Sequence, residues 1–183
     1  THLAQLMEDR GEIISADIHP HKIKLIEENA ARLGIQIIKP VILDALLLDR
    51  EYADQADFVL VDAPCSGLGV LRRRPEIRWR KGPEEIKVLQ RLQLSILDSA
   101  ARCVKPGGVL VYSTCTITRE ENIDVITEFL GQNTDFELEP LTGRLPDTLR
   151  DVPGTENMEK GYLQFMPHIH GTDGFFIAMM KKR

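Results

Sequence analysis

The sequence predicts a doubly wound α/β domain with a mostly parallel sheet and an antiparallel element at its C-terminal end. Three observations carry this. Short β-branched and aliphatic runs alternate with longer stretches of helical periodicity over most of the chain. The first three runs each close on an aspartate, Asp17, Asp44 and Asp62, and the carboxyl ends of strands in such sheets line a ligand crevice. Two apolar runs near the end, separated by a turn, break the alternation and read as an antiparallel pair.

The bulk properties fit this class. A chain of 183 residues can bury one real core. No apolar run approaches the roughly 20 residues of a membrane span, and the first apolar segment, broken by Glu8, Asp9 and Arg10, lacks the form of a secretory signal. A cytoplasmic protein without membrane attachment is expected. The net charge of −5 conceals an asymmetry: residues 72–81 carry six basic groups and one acidic, so the rest of the chain sums to −10. One dense basic segment on an acidic body points to a localised polyanion contact. The three cysteines form no C-x-x-C pair and no His spacing completes a zinc site. Free thiols and no metal are therefore expected.

Taken in order, Leu3 to Met7 read as the tail of a helix, and the chain is expected to be N-terminally truncated or trimmed at Thr1. Glu12 to Ala16 make a strand closing on Asp17. Pro20 suits a helix first turn; Ile23, Ile26, Ala30 and Leu33 follow at helical spacing, with Gly34 as the stop. A second strand covers about Gln36 to Leu43, and Pro40 within it assigns it to a sheet edge. Phe58 to Asp62 are a short strand expected to be buried. Pro83, Glu84 and Glu85 open a long amphipathic helix through Ile86, Leu89, Ile96, Leu97, Ala100 and Val104, ended by Pro106-Gly107-Gly108. Val109 to Tyr112 form the next strand. Thr118 and Glu121 have capping-box spacing before a helix with the face Val125, Ile126, Phe129 and Leu130. Phe136 to Leu138 is a short strand, 140–160 an irregular loop, and Tyr162 to Met166 pairs with Gly174 to Met180.

Several groups in this frame carry chemistry. Asp17, Asp44 and Asp62 either cap the segments that follow them or accept hydrogen bonds from a nucleoside; three in succession favour the nucleoside. The Gly-rich loop that normally precedes such acids is not in the chain. Cys65 and Cys115 follow strand ends, in Ala-Pro-Cys-Ser-Gly and Ser-Thr-Cys-Thr, whereas Cys103 lies on an apolar helix face. Two thiols beside an acid suit nucleophilic addition to an electron-poor ring, though buried free cysteines also serve as small hydrophobes, and the pattern leaves both readings open. Arg72, Arg73, Arg74, Arg78, Trp79 and Arg80 combine phosphate-binding groups with a stacking ring, which suits RNA. His19, His21, His168 and His170 read as surface residues.

The segments D-A-P-C-S-G-L-G, R-R-R-P-E-I-R-W-R, L-V-Y-S-T-C-T, E-E-N and D-G-F-F-I-A together resemble the Sun/Fmu-type (Sun/Nop2 group) RNA cytosine-5 methyltransferases, in particular the bacterial small-subunit rRNA enzymes. The resemblance runs from Asp17 to Lys181. It implies a Rossmann-like S-adenosylmethionine-dependent methyltransferase fold over residues 1–183. That fold would lack its first strand, its Gly-rich cofactor loop and the family's N-terminal RNA-binding region. It implies that Cys115 attacks C6 of a cytosine, that Cys65 assists breakdown of the adduct, and that Asp62 lies at the target ring and near the methyl donor. It further implies cofactor contacts from Asp17 to the ribose, from Asp44 at the adenine end, and from Lys22. Two other readings stand beside it. A methyltransferase acting on exocyclic amines would carry an Asn/Asp-Pro-Pro-aromatic motif where Asp62-Ala63-Pro64-Cys65 stands; a non-catalytic RNA-binding module would not bind S-adenosylmethionine.

Overall fold

The computed structural model describes residues 1–79, 82–145, 147–149 and 152–183. Two compact units divide the chain, Thr1–Glu51 and Tyr52–Arg183.

The first unit holds helix α1 (His2–Leu6), strand β1 (Ile13–Asp17), helix α2 (Pro20–Leu33) and strand β2 (Ile38–Ile42). β1 and β2 pair in parallel, Ile13 opposite Ile38 and Asp17 opposite Ile42, with α2 as the crossover. Pro20 lies at the start of α2, and Gly34 ends it in the left-handed conformation, φ +70°, as the sequence predicts. Ala4, Ile23 and Ala30 are buried. A single-turn helix, α3 (Asp49–Tyr52), follows at the end of this segment.

The second unit is built on strands β3 (Ala56–Asp62), β4 (Val104–Thr114), β5 (Phe136–Leu138), β6 (Tyr162–Phe165) and β7 (Phe175–Lys182). β3 and β4 are parallel, joined through helix α4 (Pro83–Cys103). β7 lies antiparallel along β4, and its other edge is shared by β5 and β6, also antiparallel. Helix α5 (Ile123–Gln132) packs on α4, and a one-turn helix, α6 (Pro167–His170), separates β6 from β7. The antiparallel C-terminal pair is thus the sequence expectation realised, with β7 inserted between β4 and the two short strands.

Two features differ from the sequence reading. β4 begins at Val104: Ala56 pairs with Val104 and Phe58 with Val109, so Lys105 to Gly108 bulge out opposite Asp57 rather than separating helix from strand. Phe58 and Leu60, expected to be buried, are 51% and 48% exposed; they share one face of β3, which among the described residues is an end strand of its sheet, paired with β4.

Side-chain alternation divides the sheet between two cores. Val109, Val111, Ile177 and Met179 face a cluster with Leu141, Met158 and Leu163, so the segment read as an irregular loop closes one sheet face with its apolar residues. Leu110, Tyr112, Phe176, Ala178 and Met180 alternate with these and are fully or nearly fully buried, as are Leu97, Ala100, Ile126 and Phe129 on the helices. Among the described residues no helix is long and apolar enough to cross a membrane, and no cluster of His, Cys, Asp or Glu is placed to hold a metal ion.

Candidate active site

Two parallel strands that lie side by side end at the same sheet edge, so residues following them meet however far apart they are in sequence. β3 and β4 are such a pair, with Asp62 in register with Ser113. Ser113 Oγ donates to Asp62 Oδ1 at 3.0 Å, and the Ala63 amide donates to the Ser113 carbonyl at 2.9 Å. Cys65 follows Asp62 by three residues and Cys115 follows Ser113 by two. Their sulfurs lie 3.4 Å apart. Of the residues singled out in the sequence, Asp62, Cys65 and Cys115 are therefore brought to one strand edge; Cys103 is buried on α4.

The two thiols are not equivalent. The hydrogen bond that Cys65 donates to Cys115, together with burial and the neighbouring negative charge, pushes the Cys65 thiol far above its ordinary range; the Gly67 amide opposes this only in part. The same hydrogen bond stabilises the Cys115 thiolate and lowers that group to about 7, against the opposing effects of burial and the Asp62 charge. Of the two sulfurs, Cys115 is the one favoured as thiolate and Cys65 the one favoured as thiol.

The loops that carry these residues approach each other closely. The Gly69 amide donates to the Cys115 carbonyl at 3.0 Å and the Gly174 amide to the Gly69 carbonyl at 2.8 Å. A Cβ on Gly69 would lie 2.1 Å from the Gly174 carbonyl oxygen, so a side chain is excluded. Gly67, at φ +72°, makes the turn into the short 3₁₀ segment Leu68–Val70.

The basic segment continues from this loop. Its 3₁₀ turn Pro75–Trp79 leaves Trp79 84% exposed, with the Arg78 guanidinium 5.7 Å from the ring centroid. Arg72, Arg73 and Arg74 are also exposed, and Arg73 is ion-paired with Asp173. Arg80 lies outside the described residues.

The remaining acids belong to the first unit. Asp17 Oδ1 accepts the His19 amide at 2.9 Å and Oδ2 accepts Lys22 Nζ at 3.0 Å. Burial raises its carboxyl, but these donors outweigh that and hold it below the usual carboxylate range. Asp44 accepts the Leu46 amide at 3.0 Å, capping the 3₁₀ turn Ala45–Leu47. Asp44 thus makes the cap contact weighed in the sequence, whereas Asp17 meets the amide of His19, the N-cap residue of α2, and does not itself cap the helix; each carboxylate retains lone pairs for further donors.

Sequence reasoning passed over Ser66, Ser113, Thr116 and Glu121. Ser66 and Thr116 directly follow the two cysteines, and Ser66 Oγ lies 2.8 Å from Thr116 Oγ1. The hydroxyl after each thiol was the available signal. Glu121 has capping-box spacing from Thr118, but α5 starts later, at Ile123, and the Glu121 side chain turns inward to Ser66.

Comparison with known proteins gives a consistent result. The family model described as 16S rRNA methyltransferase RsmB/F matches residues 1–181. A probable ribosomal RNA small subunit methyltransferase B from Bacillus subtilis is 46% identical over 184 residues, covering all of this chain and 40% of that protein. A tRNA (cytosine(72)-C(5))-methyltransferase from Pyrococcus horikoshii is 36% identical, covering all of this chain and 43% of its own length. Among solved structures, that of NSun6 from Pyrococcus horikoshii with SFG superposes with a TM-score of 0.83 at 37% identity, over 99% of this chain and 44% of that one. The chain thus spans about 40% of the length of the curated relatives it matches.

Proposed function

The chain belongs to the 16S rRNA methyltransferase RsmB/F family, and from that membership together with its paired thiols we propose that it forms the catalytic part of an RNA cytosine-C5 methyltransferase. Small-subunit rRNA is the proposed substrate and S-adenosylmethionine the methyl donor. The observation that carries the proposal is the 3.4 Å approach of Cys65 and Cys115 at the strand edge that also bears Asp62.

C5 of cytosine is too weak a nucleophile to take a methyl group unaided. Cys115, ionised near neutral pH, forms a bond to C6 of an unstacked cytosine. The C5–C6 π electrons shift into the ring, and N3 takes up a proton from Asp62, which must be protonated in the substrate complex, and returns it once C5 is methylated. C5, now enamine-like, takes the methyl group. Loss of the C5 proton then restores the double bond and expels Cys115 as thiolate. Cys65 is suited to this last step. Once Cys115 is bonded to carbon it no longer presents an anion to the Cys65 proton; that proton can leave, and the Cys65 thiolate can accept the one from C5.

When bound, S-adenosylmethionine supplies an electrophilic sulfonium methyl. The donor set in the first unit suits its nucleoside: Asp17 is an ionised acceptor at a strand end, Lys22 orients it, and Asp44 is a second exposed acceptor. The SFG in the Pyrococcus structure is an S-adenosylmethionine analogue, which supports the same reading.

The test is adduct trapping. The full-length protein, given S-adenosylmethionine and small-subunit rRNA containing 5-fluorocytosine, should form a protein–RNA species that survives denaturing electrophoresis, since fluorine at C5 cannot leave as a proton does. Trapping on tRNA but not on rRNA would transfer the substrate to the class named for the Pyrococcus relative. RNA and cofactor binding without any adduct would remove the covalent mechanism.

A further inference from the structure

Glu121 is fully buried and has no part in the chemistry proposed above, yet its carboxylate lies between the two cysteine loops. Oε1 accepts the Ser66 amide at 2.7 Å and Gln93 Nε2 at 3.0 Å. Oε2 accepts Ser66 Oγ at 2.5 Å and Thr118 Oγ1 at 2.7 Å, with Thr116 Oγ1 at 3.3 Å. A hydroxyl has one proton to give. With that of Ser66 committed to Glu121, Thr116 donates to Ser66 Oγ, the nearer acceptor at 2.8 Å, and its contact with Glu121 is secondary. The other four contacts are from donors, which is what lets a buried carboxylate stay in place.

The glutamate is itself held. Tyr112 Oη donates to its carbonyl oxygen at 2.7 Å. The next residue, Asn122, accepts from Thr114 Oγ1 at 2.6 Å and donates to the Thr116 carbonyl at 3.2 Å. The carboxylate is thus anchored to β4, the strand that leads to Cys115, while gripping both the amide and the hydroxyl of the residue after Cys65. Gln93 extends the grip to the Pro64 carbonyl, on the other side of Cys65, at 2.9 Å.

We propose that Glu121 is a positioning residue that sets the distance between the Cys65 and Cys115 sulfurs. The proposal rests on the methyltransferase reading for its consequence but on geometry for its substance. The obvious variant, Glu121→Gln, keeps the shape but replaces one acceptor oxygen with an N–H, so Ser66 Oγ, which already accepts from Thr116, loses the acceptor for its own proton and the hold on the Cys65 loop should loosen. Two effects on Cys115 then have opposite signs. The Glu121 charge by itself raises the Cys115 thiol, whereas the Cys65 hydrogen bond lowers it and is the larger cause. Loss of positioning raises the midpoint of Cys115 reactivity; loss of charge alone lowers it.

Three readouts on the full-length protein test this, with thermal unfolding and circular dichroism confirming that the variant is folded. The first is oxidation by diamide, whose N=N bond takes up the two electrons and two protons released as the thiols join; disulfide formation between Cys65 and Cys115 reports their proximity and needs neither RNA nor cofactor. In Glu121→Gln it should slow by about tenfold or more, since sub-ångström to ångström misplacement has effects of that size. The second is the pH midpoint of Cys115 alkylation by iodoacetamide, which should rise. The third is methylation, where kcat should fall by about 10²-fold with KM for RNA little changed. Glu121→Asp, which keeps the charge, should recover part of each. A folded Glu121→Gln with the wild-type oxidation rate, or with a lowered midpoint, would overturn the proposal. If that variant does not fold, Ser66→Ala gives the same test by removing the hydroxyl link alone, and unchanged oxidation there would overturn it equally. Slowed oxidation alongside a wild-type protein that never methylates RNA would instead leave the positioning intact and remove the functional reading.

Discussion

Ser113 Oγ donates to Asp62 Oδ1 at 3.0 Å across a register pair of β3 and β4. The strand that delivers the Cys115 thiolate therefore also orients the acid proposed to serve N3. Asp62→Asn keeps the shape but cannot carry the proton, and the rate of adduct formation on 5-fluorocytosine RNA should fall by about 10²-fold. Ser113→Ala should cost less, about tenfold, through lost orientation, with stability lowered by about 1 kcal/mol. RNA affinity should be unchanged in both. An Asp62→Asn rate equal to wild type would detach this acid from the chemistry.

The unequal thiols set the pH dependence. Cys115 has its charged form favoured, so thiolate is present at lower pH than for an ordinary cysteine, and its alkylation by iodoacetamide should rise through a midpoint at about 7. Methylation should fall as pH drops below that value, as Cys115 takes up a proton. In Cys65→Ala the donated hydrogen bond is gone, and the Cys115 midpoint should move upward toward the ordinary thiol value of about 8.5. Cys65→Ala should also accumulate covalent adduct on unmodified RNA, while Cys115→Ser should form none. A Cys65→Ala midpoint at or below that of wild type would contradict the assignment of the proton to Cys65.

Gly69 is where the cysteine loops and the turn before β7 meet. Its substitution by alanine would set Cβ 2.1 Å from the Gly174 oxygen and 2.7 Å from the Cys115 oxygen. Both are backbone atoms, which cannot swing aside as a flexible side chain would. Overpacking of this kind costs about 1–3 kcal/mol or more, and the displacement falls on the residue proposed as nucleophile. Gly69→Ala should lower the unfolding midpoint and abolish adduct trapping together. Gly131→Ala, inside α5 and with nothing within 4 Å of its added Cβ, serves as the control and should do neither.

The meeting of the two thiols was legible in the sequence because it depends on local signals. Turn residues and apolar runs locate strand ends, and parallel strand ends share an edge. The role of Glu121 was not legible, because capping-box spacing from Thr118 is the same whether the carboxylate turns back to the helix start or inward. Tertiary donors on Ser66 and Gln93 decided between these, and they come from segments distant in sequence. Burial escaped prediction for a related reason. Phe58 and Leu60 have the composition of a central strand, but exposure depends on what packs against them. Leu141 and Met158 lie in a stretch without periodicity and still close one face of the sheet, since a sheet with two apolar faces needs both covered.

The basic segment makes separable predictions for RNA binding. Trp79 is 84% exposed with Arg78 beside its ring, so it contributes little to the core and its removal should leave the unfolding midpoint unchanged. If a base stacks on it, Trp79→Ala should weaken RNA binding by about 1–3 kcal/mol at constant salt, with little change in the salt dependence. Arg78→Ala, Arg72→Ala and Arg74→Ala remove phosphate partners, and each should reduce the salt slope by about 0.7 for single-stranded RNA. Arg73 is already paired with Asp173; a guanidinium neutralised within the protein releases fewer counterions on binding, so Arg73→Ala should change the slope less than its neighbours do. Asp173→Ala then provides the converse. It frees Arg73 for phosphate and should steepen the slope in an otherwise intact protein, measured by fluorescence titration across a salt series. Slopes equal to that of wild type for all the arginine variants would place the RNA elsewhere on the molecule.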